Sequence, residues 1–223
     1  MTTTASVARR SPGGRSWRNW LLFAVAVGAT AAMASPYVLL DPAASRIETT
    51  GPVHYALLVT HVFTASVALV LGPLQFVGRV RAHRRVHRTI GRCYLLLGVL
   101  PSALAGIPLA MLSGRPVTQI GLTIPFLGWL VTGWLAFRAV RRGDVAAHRD
   151  WMLRNVALTF LAVTARILVP VMLLVQIPFS GTAALAASVP SLIAVGRVLG
   201  WVINLLLVEA VIRRRRRAAH APT

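Results

Sequence analysis

Six apolar runs of about 20 residues constrain the fold of this chain more than any other feature of its sequence. A helix of about 20 residues crosses a hydrocarbon core of roughly 30 Å. In lipid, only helices and closed barrels pair every backbone group, and these runs are too long and continuous for barrel strands. We therefore predict an all-α fold: a polytopic integral membrane protein with a six-transmembrane-helix bundle. The predicted spans are Trp20–Leu40, His54–Val77, Cys93–Leu112, Gln119–Val140, Asn155–Ile177 and Ser188–Ile212.

Arginine is distributed unevenly among the segments outside these spans. The 24 basic residues are all arginine, the acids number five, and the formal net charge is +19. Arginine clusters precede span one, follow spans two, four and six, and are nearly absent from the other loops, where only Arg46 and Arg115 occur. Because excess positive charge marks the cytoplasmic side, we predict that both termini are cytoplasmic and that the protein lies in a bacterial inner membrane.

The same distribution predicts the domain organisation and the partners. Residues 1–18 are predicted to be a disordered basic cytoplasmic tail, residues 19–212 the six-helix bundle, and residues 213–223 a second basic cytoplasmic tail. Arginines divided among cytoplasmic loops favour contact with anionic lipid headgroups over nucleic-acid binding. Small residues spaced four apart, at Ala24, Gly28 and Ala32 and again at Gly98, Ser102 and Gly106, predict faces on which helices pack closely.

Two His-Arg strings stand at the cytoplasmic ends of predicted spans, "HRTIGRCY" (His87–Tyr94) and "HRDWMLRN" (His148–Asn155). In one interpretation they are topogenic loops with surface histidines. In the other they bind a redox cofactor, haem b or quinone, since haem in a helix bundle takes axial histidines from facing helices. His87 and His148 form a candidate pair of this kind. The arginines suited to the haem propionates, or to a headgroup, are Arg88, Arg92, Arg149 and Arg154. Apart from such a haem iron, no metal site is predicted.

A second candidate site consists of polar residues deep within the spans. Arg166, Arg197 and His61 fall at one depth by helix rise, and the only acid within a span, Glu209, is about 18 Å from Arg197. Buried arginine is costly in a membrane, so we expect both arginines to point into one internal cavity. Thr159 and Asn204 are expected to line it together with Asn155, and Gln75 to close its cytoplasmic end. This site predicts a transporter or binding protein for an anionic or amphiphilic small molecule.

The chain also resembles a bacterial membrane family known as domain of unknown function 2306. The resemblance covers roughly His54 to Pro170 and depends on His61, "LGPLQF" (Leu71–Phe76), "HRTIGRCY" and "HRDWMLRNVALTFLAVTARI" (His148–Ile167). It implies a polytopic bundle and no established activity. A structural or regulatory membrane subunit therefore stays open as a third functional class, and the sequence contains no zinc motif, serine elbow or P-loop that indicates hydrolysis.

Overall fold

The computed structural model describes residues 13–219, and within this range it contains helices and no strand. Six helical segments in it are long and apolar enough to cross a membrane, which confirms the predicted all-α fold and the number of spans. The α-helices are α1 (Gly13–Ala34), α2 (Pro52–Leu74), α3 (Gly78–Ala82), α4 (Arg84–Cys93), α5 (Leu100–Leu112), α6 (Pro116–Arg141), α7 (Val145–Thr159), α8 (Leu161–Gln176) and α9 (Thr182–Ala219).

The helices extend beyond the apolar segments that hydropathy identifies. The third span begins at Arg84 and the sixth runs through 38 residues to Ala219, about 57 Å of helix, which is longer than a bilayer core. Residues 13–18, predicted to be disordered, already belong to α1, and residues 1–12 lie outside the described range. Helical hydrogen bonding continues past the apolar segment because backbone pairing does not require apolar side chains.

Two of the spans are interrupted helices. A π-helical turn, Tyr94–Val99, joins α4 to α5 immediately before Pro101. Proline donates no backbone hydrogen bond and crowds the carbonyl four residues earlier, and a widened π turn accommodates both effects. The fifth span is likewise divided into α7 and α8 at Phe160. These breaks change the angular position of every residue that follows them.

Close helix packing occurs on one of the two predicted small-residue faces. A Cβ atom added at Gly98 would lie 2.9 Å from the backbone of Ala68 in α2, and one at Gly106 would lie 2.6 Å from the Phe126 ring in α6. The face of α1 that contains Gly28 is instead exposed, and a Cβ there would meet nothing within 4 Å. Span one packs through a different face, in which Ala26 is fully buried.

Candidate functional site

A fully paired polar network lies in the middle of the bundle, between the π turn, α6 and α7. The Tyr94 hydroxyl donates to Asn155 Oδ1 at 2.6 Å and contacts Thr159 Oγ1 at 2.8 Å. The Trp129 indole N–H donates to Thr159 Oγ1 at 3.0 Å, and Asn155 Nδ2 donates to the Trp129 carbonyl at 2.6 Å and to Thr132 Oγ1 at 2.8 Å. Tyr94 and Asn155 have no exposed surface. Because its members bond one another, this network stabilises the packing of three segments.

This network explains why Thr159 and Asn155 do not line an approach to Arg166. A single regular helix would place the three residues on one face, but the interruption at Phe160 separates α7 from α8. The side chains of Thr159 and Asn155 therefore point into the core, whereas Arg166 is exposed and donates to the carbonyl of Ala162, in its own helix, at 3.0 Å. The expected inward orientation is not observed for Arg166.

His61 also lies in a different environment from Arg166. Its Nδ1 is 2.9 Å from the Ser102 carbonyl and 3.0 Å from the Ser102 hydroxyl, and its ring contacts Phe126 edge-on at 5.3 Å. These partners belong to α5 and α6, so His61 joins α2 to two other helices. The sequence did not identify Ser102 as its partner, although the small-residue spacing had placed Ser102 on a packing face.

Asn204 contributes to packing between α9 and the fifth span. Its Nδ2 donates to the Ala157 carbonyl at 3.0 Å, and its Oδ1 accepts from the Thr164 hydroxyl at 2.9 Å. The half-buried Arg197 lies two turns earlier in the same helix. The predicted deep cluster is thus divided among several environments. His61 of α2 contacts α5 and α6, Thr159 belongs to the central network, and Asn204 bonds the fifth span. The two arginines lie further from the arginine-rich end of the bundle.

The two histidines of the His-Arg strings both lie at the arginine-rich end of the bundle, on α4 and α7, and both of these helices pack against α2. His148 Nδ1 is 2.9 Å from the Ala136 carbonyl, so it carries the proton and leaves Nε2 free to accept. His87 Nδ1 is buried and has no hydrogen-bond partner in the described part of the chain.

Gln75, at the end of α2, completes this site. Its side chain is 5% exposed, and its Nε2 is buried without a hydrogen-bond partner among residues 13–219. Its Oε1 lies 3.4 Å from the position a Cβ would take at Gly91. Gly91 follows His87 by one helical turn, so both residues are on the face of α4 that meets α2. We call Gln75, His87 and His148 the histidine site.

The four arginines predicted to surround a cofactor divide into two groups. Arg88, Arg92 and Arg149 are exposed near the histidine site. Arg154 instead donates to Glu209 Oε2 at 2.7 Å, and its guanidinium lies 4.7 Å from the centre of the Trp151 ring. Arg154 is therefore engaged by a carboxylate and is not available to a propionate. The sequence contained a signal for this pair, since Glu209 and Arg154 both lie near the arginine-rich ends of their predicted spans.

The Arg154–Glu209 pair borders a lateral cavity of about 320 Å³, whose walls are otherwise formed by α9 residues such as Trp201 and Leu205. The Trp201 indole N–H is buried and without a partner among the described residues. No group of three or more histidine, cysteine, aspartate or glutamate side chains that could hold a metal ion occurs within residues 13–219.

Comparison with known proteins assigns the chain to a family. A family model described as "Predicted membrane protein (DUF2306)" matches residues 58–212, about two thirds of the chain, so the chain belongs to this family. The match confirms the resemblance and extends past Pro170 to include most of α9. No curated protein and no solved structure matches the chain. The family description names a membrane protein and no activity, which leaves the function to be argued from the geometry.

Proposed function

We propose that this membrane protein binds the oxygen-bearing headgroup of a membrane-soluble redox cofactor, of the quinone class, at the histidine site. The observation that carries the proposal is the pair of buried polar atoms without partners, Gln75 Nε2 and His87 Nδ1. Buried polar groups are nearly always hydrogen-bonded, and leaving one unpaired costs about 1–3 kcal/mol. Two such atoms on facing helices favour a ligand that supplies acceptor oxygens.

The chemistry of the donors favours a quinone over haem b. An amide N–H₂ such as that of Gln75 donates hydrogen bonds and is not a usual iron ligand, whereas carbonyl oxygens accept from it. A metal-ligating histidine normally donates its second ring N–H to a carbonyl or carboxylate. His148 has such a partner in the Ala136 carbonyl, but His87 Nδ1 has none among residues 13–219. The same atoms would also hold a quinone whose polyisoprenoid tail lies in the bilayer.

The bound cofactor would supply reversible two-electron chemistry, and the protein would supply position and proton contacts. His148 Nε2, with its Nδ1 proton fixed on Ala136, is an acceptor at the site. Arg88 and Arg92 lie on the same helix as His87 and keep the site electropositive. Positive charge there favours the more negative forms of an oxygen-bearing headgroup.

The test is to purify the protein in mild detergent from quinone-producing cells and to quantify co-purified quinone after solvent extraction. We expect quinone with the wild type and about 2- to 10-fold less with Gln75→Leu, because one hydrogen bond to the ligand is lost. His87→Gln, which keeps a donor, should retain more quinone than His87→Leu. The matched control is His83→Ala, because His83 is exposed and its ring contacts only the nearby Arg79 carbonyl.

An absorption spectrum of the same samples tests for haem b, the second candidate redox cofactor. A Soret band that disappears in both His87→Leu and His148→Leu would identify haem b, and not quinone, as the bound cofactor. Protein that is folded but carries neither quinone nor haem, from cells that make both, would refute the redox function. Equal quinone content in wild type and Gln75→Leu would place any bound quinone elsewhere.

We also propose that the arginine-rich end faces the cytoplasm of a bacterial inner membrane, with both termini on that side. The uneven arginine distribution supports this orientation. In a Cys93→Ala background, a cysteine replacing the exposed Glu48 should react in intact cells with a membrane-impermeant maleimide, whereas one replacing Arg142 should not. Labelling of the Arg142 position alone would invert the orientation, and labelling of both would contradict the six-span topology.

A further inference from the structure

Arginines also occur in the half of the bundle away from the histidine site, where acidic side chains among residues 13–219 form no ion pair with them. Arg46 lies in the connection between α1 and α2, Arg166 in α8 and Arg197 in α9. We call these three residues the arginine cluster. The redox function proposed above does not involve any of these residues.

Close packing of α8 against α9 brings Arg166 and Arg197 together. A Cβ at Gly196 would lie 2.8 Å from Val169, and one at Gly200 would lie 3.3 Å from the backbone nitrogen of Ala165. Arg197 follows Gly196, and Arg166 follows Ala165, so the two arginines flank this contact. The two arginines therefore lie at one level of the bundle, on two helices in contact.

The connection after α1 adds the third arginine. Arg46 Nη1 donates to the carbonyl of Ala32 at 3.2 Å, so the connection folds back over the end of α1. Ala26 of α1 and Val163 of α8 belong to one buried apolar cluster with Leu69 of α2, which places the end of α1 on the same side of the bundle as α8. Arg46, held at the end of α1, is consequently on the side of the bundle that contains Arg166.

Acidic side chains do not balance this charge in the described residues. Ion pairs within residues 13–219 occur only at the arginine-rich end and use Glu209 and Asp150. Of the two acids near the cluster in sequence, Asp41 accepts from the Ala43 backbone at 2.9 Å, and Glu48 is exposed. Arg166 and Arg46 each donate a hydrogen bond to a helix carbonyl. This bond satisfies one N–H donor but does not neutralise the positive charge.

The depth of the cluster makes the missing counter-charge costly. Arg166 is about 22 Å along the helix axis from Trp151, which places it well inside the span Leu161–Phe179. An arginine at such a depth is unfavourable unless it is paired or hydrated. Three like charges on neighbouring segments repel one another, so the folded arrangement itself favours a bound anion.

We propose that the arginine cluster binds a phosphate-type oxyanion. Guanidinium groups are planar and present paired N–H donors that match the oxygens of phosphate in a bidentate manner. Three guanidinium groups offer more donors than the two oxygens of a carboxylate can use, which favours phosphate. The phosphate can come from the headgroup of an anionic lipid in the leaflet at this end, or from a free phosphate or phosphorylated solute, and both sources present the same group.

The experiment measures thermal unfolding of the purified full-length protein after lipid has been removed by detergent exchange. Inorganic phosphate is compared with chloride at equal ionic strength, and phosphatidylglycerol micelles are compared with phosphatidylcholine micelles. At ten times the dissociation constant, a bound ligand should raise Tm by about 3–6 °C. Arg166→Gln and Arg197→Gln should abolish the rise, and Arg138→Gln, an exposed arginine at the opposite end, should retain it.

Each outcome bears on the proposal. A rise with inorganic phosphate identifies a soluble anion as sufficient, and a rise with phosphatidylglycerol alone identifies the lipid. The absence of any rise in the wild type, or an equal rise in wild type and both cluster variants, would overturn the proposal. If the glutamine variants do not fold, Arg197→Lys keeps the charge but loses the paired donors and should weaken binding by about tenfold. Quinone content should be unchanged in all cluster variants, which separates this site from the histidine site.

Discussion

Replacing Tyr94 by phenylalanine tests whether the central polar network stabilises the bundle. The change removes one hydroxyl group and keeps the ring, which has no exposed surface. The lost interactions are the hydrogen bond to Asn155 Oδ1 at 2.6 Å and the contact with Thr159 Oγ1 at 2.8 Å. The mutation therefore acts on the network without creating a large cavity.

The expected loss in free energy of unfolding follows from what each partner retains. Thr159 Oγ1 can still donate to the Asn155 carbonyl at 3.1 Å, so the threonine remains paired. Asn155 Oδ1 has no other hydrogen bond within the described residues and becomes a buried, unsatisfied acceptor. Leaving such a group unpaired costs about 1–3 kcal/mol, so we expect Tyr94→Phe to destabilise the protein by about 2 kcal/mol.

The assay is reversible unfolding in mixed micelles, with the denaturing detergent increased and helicity followed by circular dichroism. Tyr55→Phe is the matched control, because the Tyr55 hydroxyl is buried but has no partner in the described chain. Its removal should be neutral or slightly stabilising. A double-mutant cycle of Tyr94→Phe with Asn155→Ala should give a coupling energy of about 1 kcal/mol or more. Equal effects of the two tyrosine changes would refute the reasoning.

Three further predictions concern packing and charge. Gly98→Ala should destabilise the protein by about 1–3 kcal/mol in the same assay, since its Cβ would meet the α2 backbone at 2.9 Å, whereas Gly28→Ala, which meets open space, should be neutral or stabilising. Arg154→Leu should destabilise by about 1–2 kcal/mol through the loss of its ion pair with the half-buried Glu209, and adding Glu209→Leu should recover part of the loss. Gln75→Leu should raise the Tm of ligand-free protein, since it removes an unpaired buried donor, and a lowered Tm would contradict this assignment.

The spans were predictable because length and hydrophobicity are local properties of the sequence. The bilayer requires about 20 apolar residues for each helix, and this requirement holds whatever the helices contact. The location of His87 and His148 at the same end of the bundle could also be predicted, because both precede spans at the arginine-rich end. Only depth along the membrane was needed for that inference.

Angular position around each helix could not be predicted in the same way. A regular helix places Asn155, Thr159 and Arg166 on one face, and the interruption at Phe160 breaks that relation. The small-residue spacing of α1 predicted a packing face that is exposed in the structure, because Ala26 faces the bundle instead. Which face of a helix is buried depends on its neighbours, and that information lies elsewhere in the chain.

Whether its polar atoms are hydrogen-bonded distinguishes a buried residue with a structural role from a candidate ligand-binding residue in this bundle. Thr159 and His61 have the composition and depth of ligand-binding residues, yet Tyr94 and Trp129 bond the Thr159 hydroxyl, and Ser102 bonds His61 Nδ1. Gln75 is equally buried, but its amide nitrogen is unpaired among the described residues. Because pairing requires atoms from separate helices, hydropathy and spacing cannot distinguish these cases. A ligand is accordingly expected where several unmatched donors or charges occur together, as at the histidine site and the arginine cluster, and the bonds of a satisfied network require none.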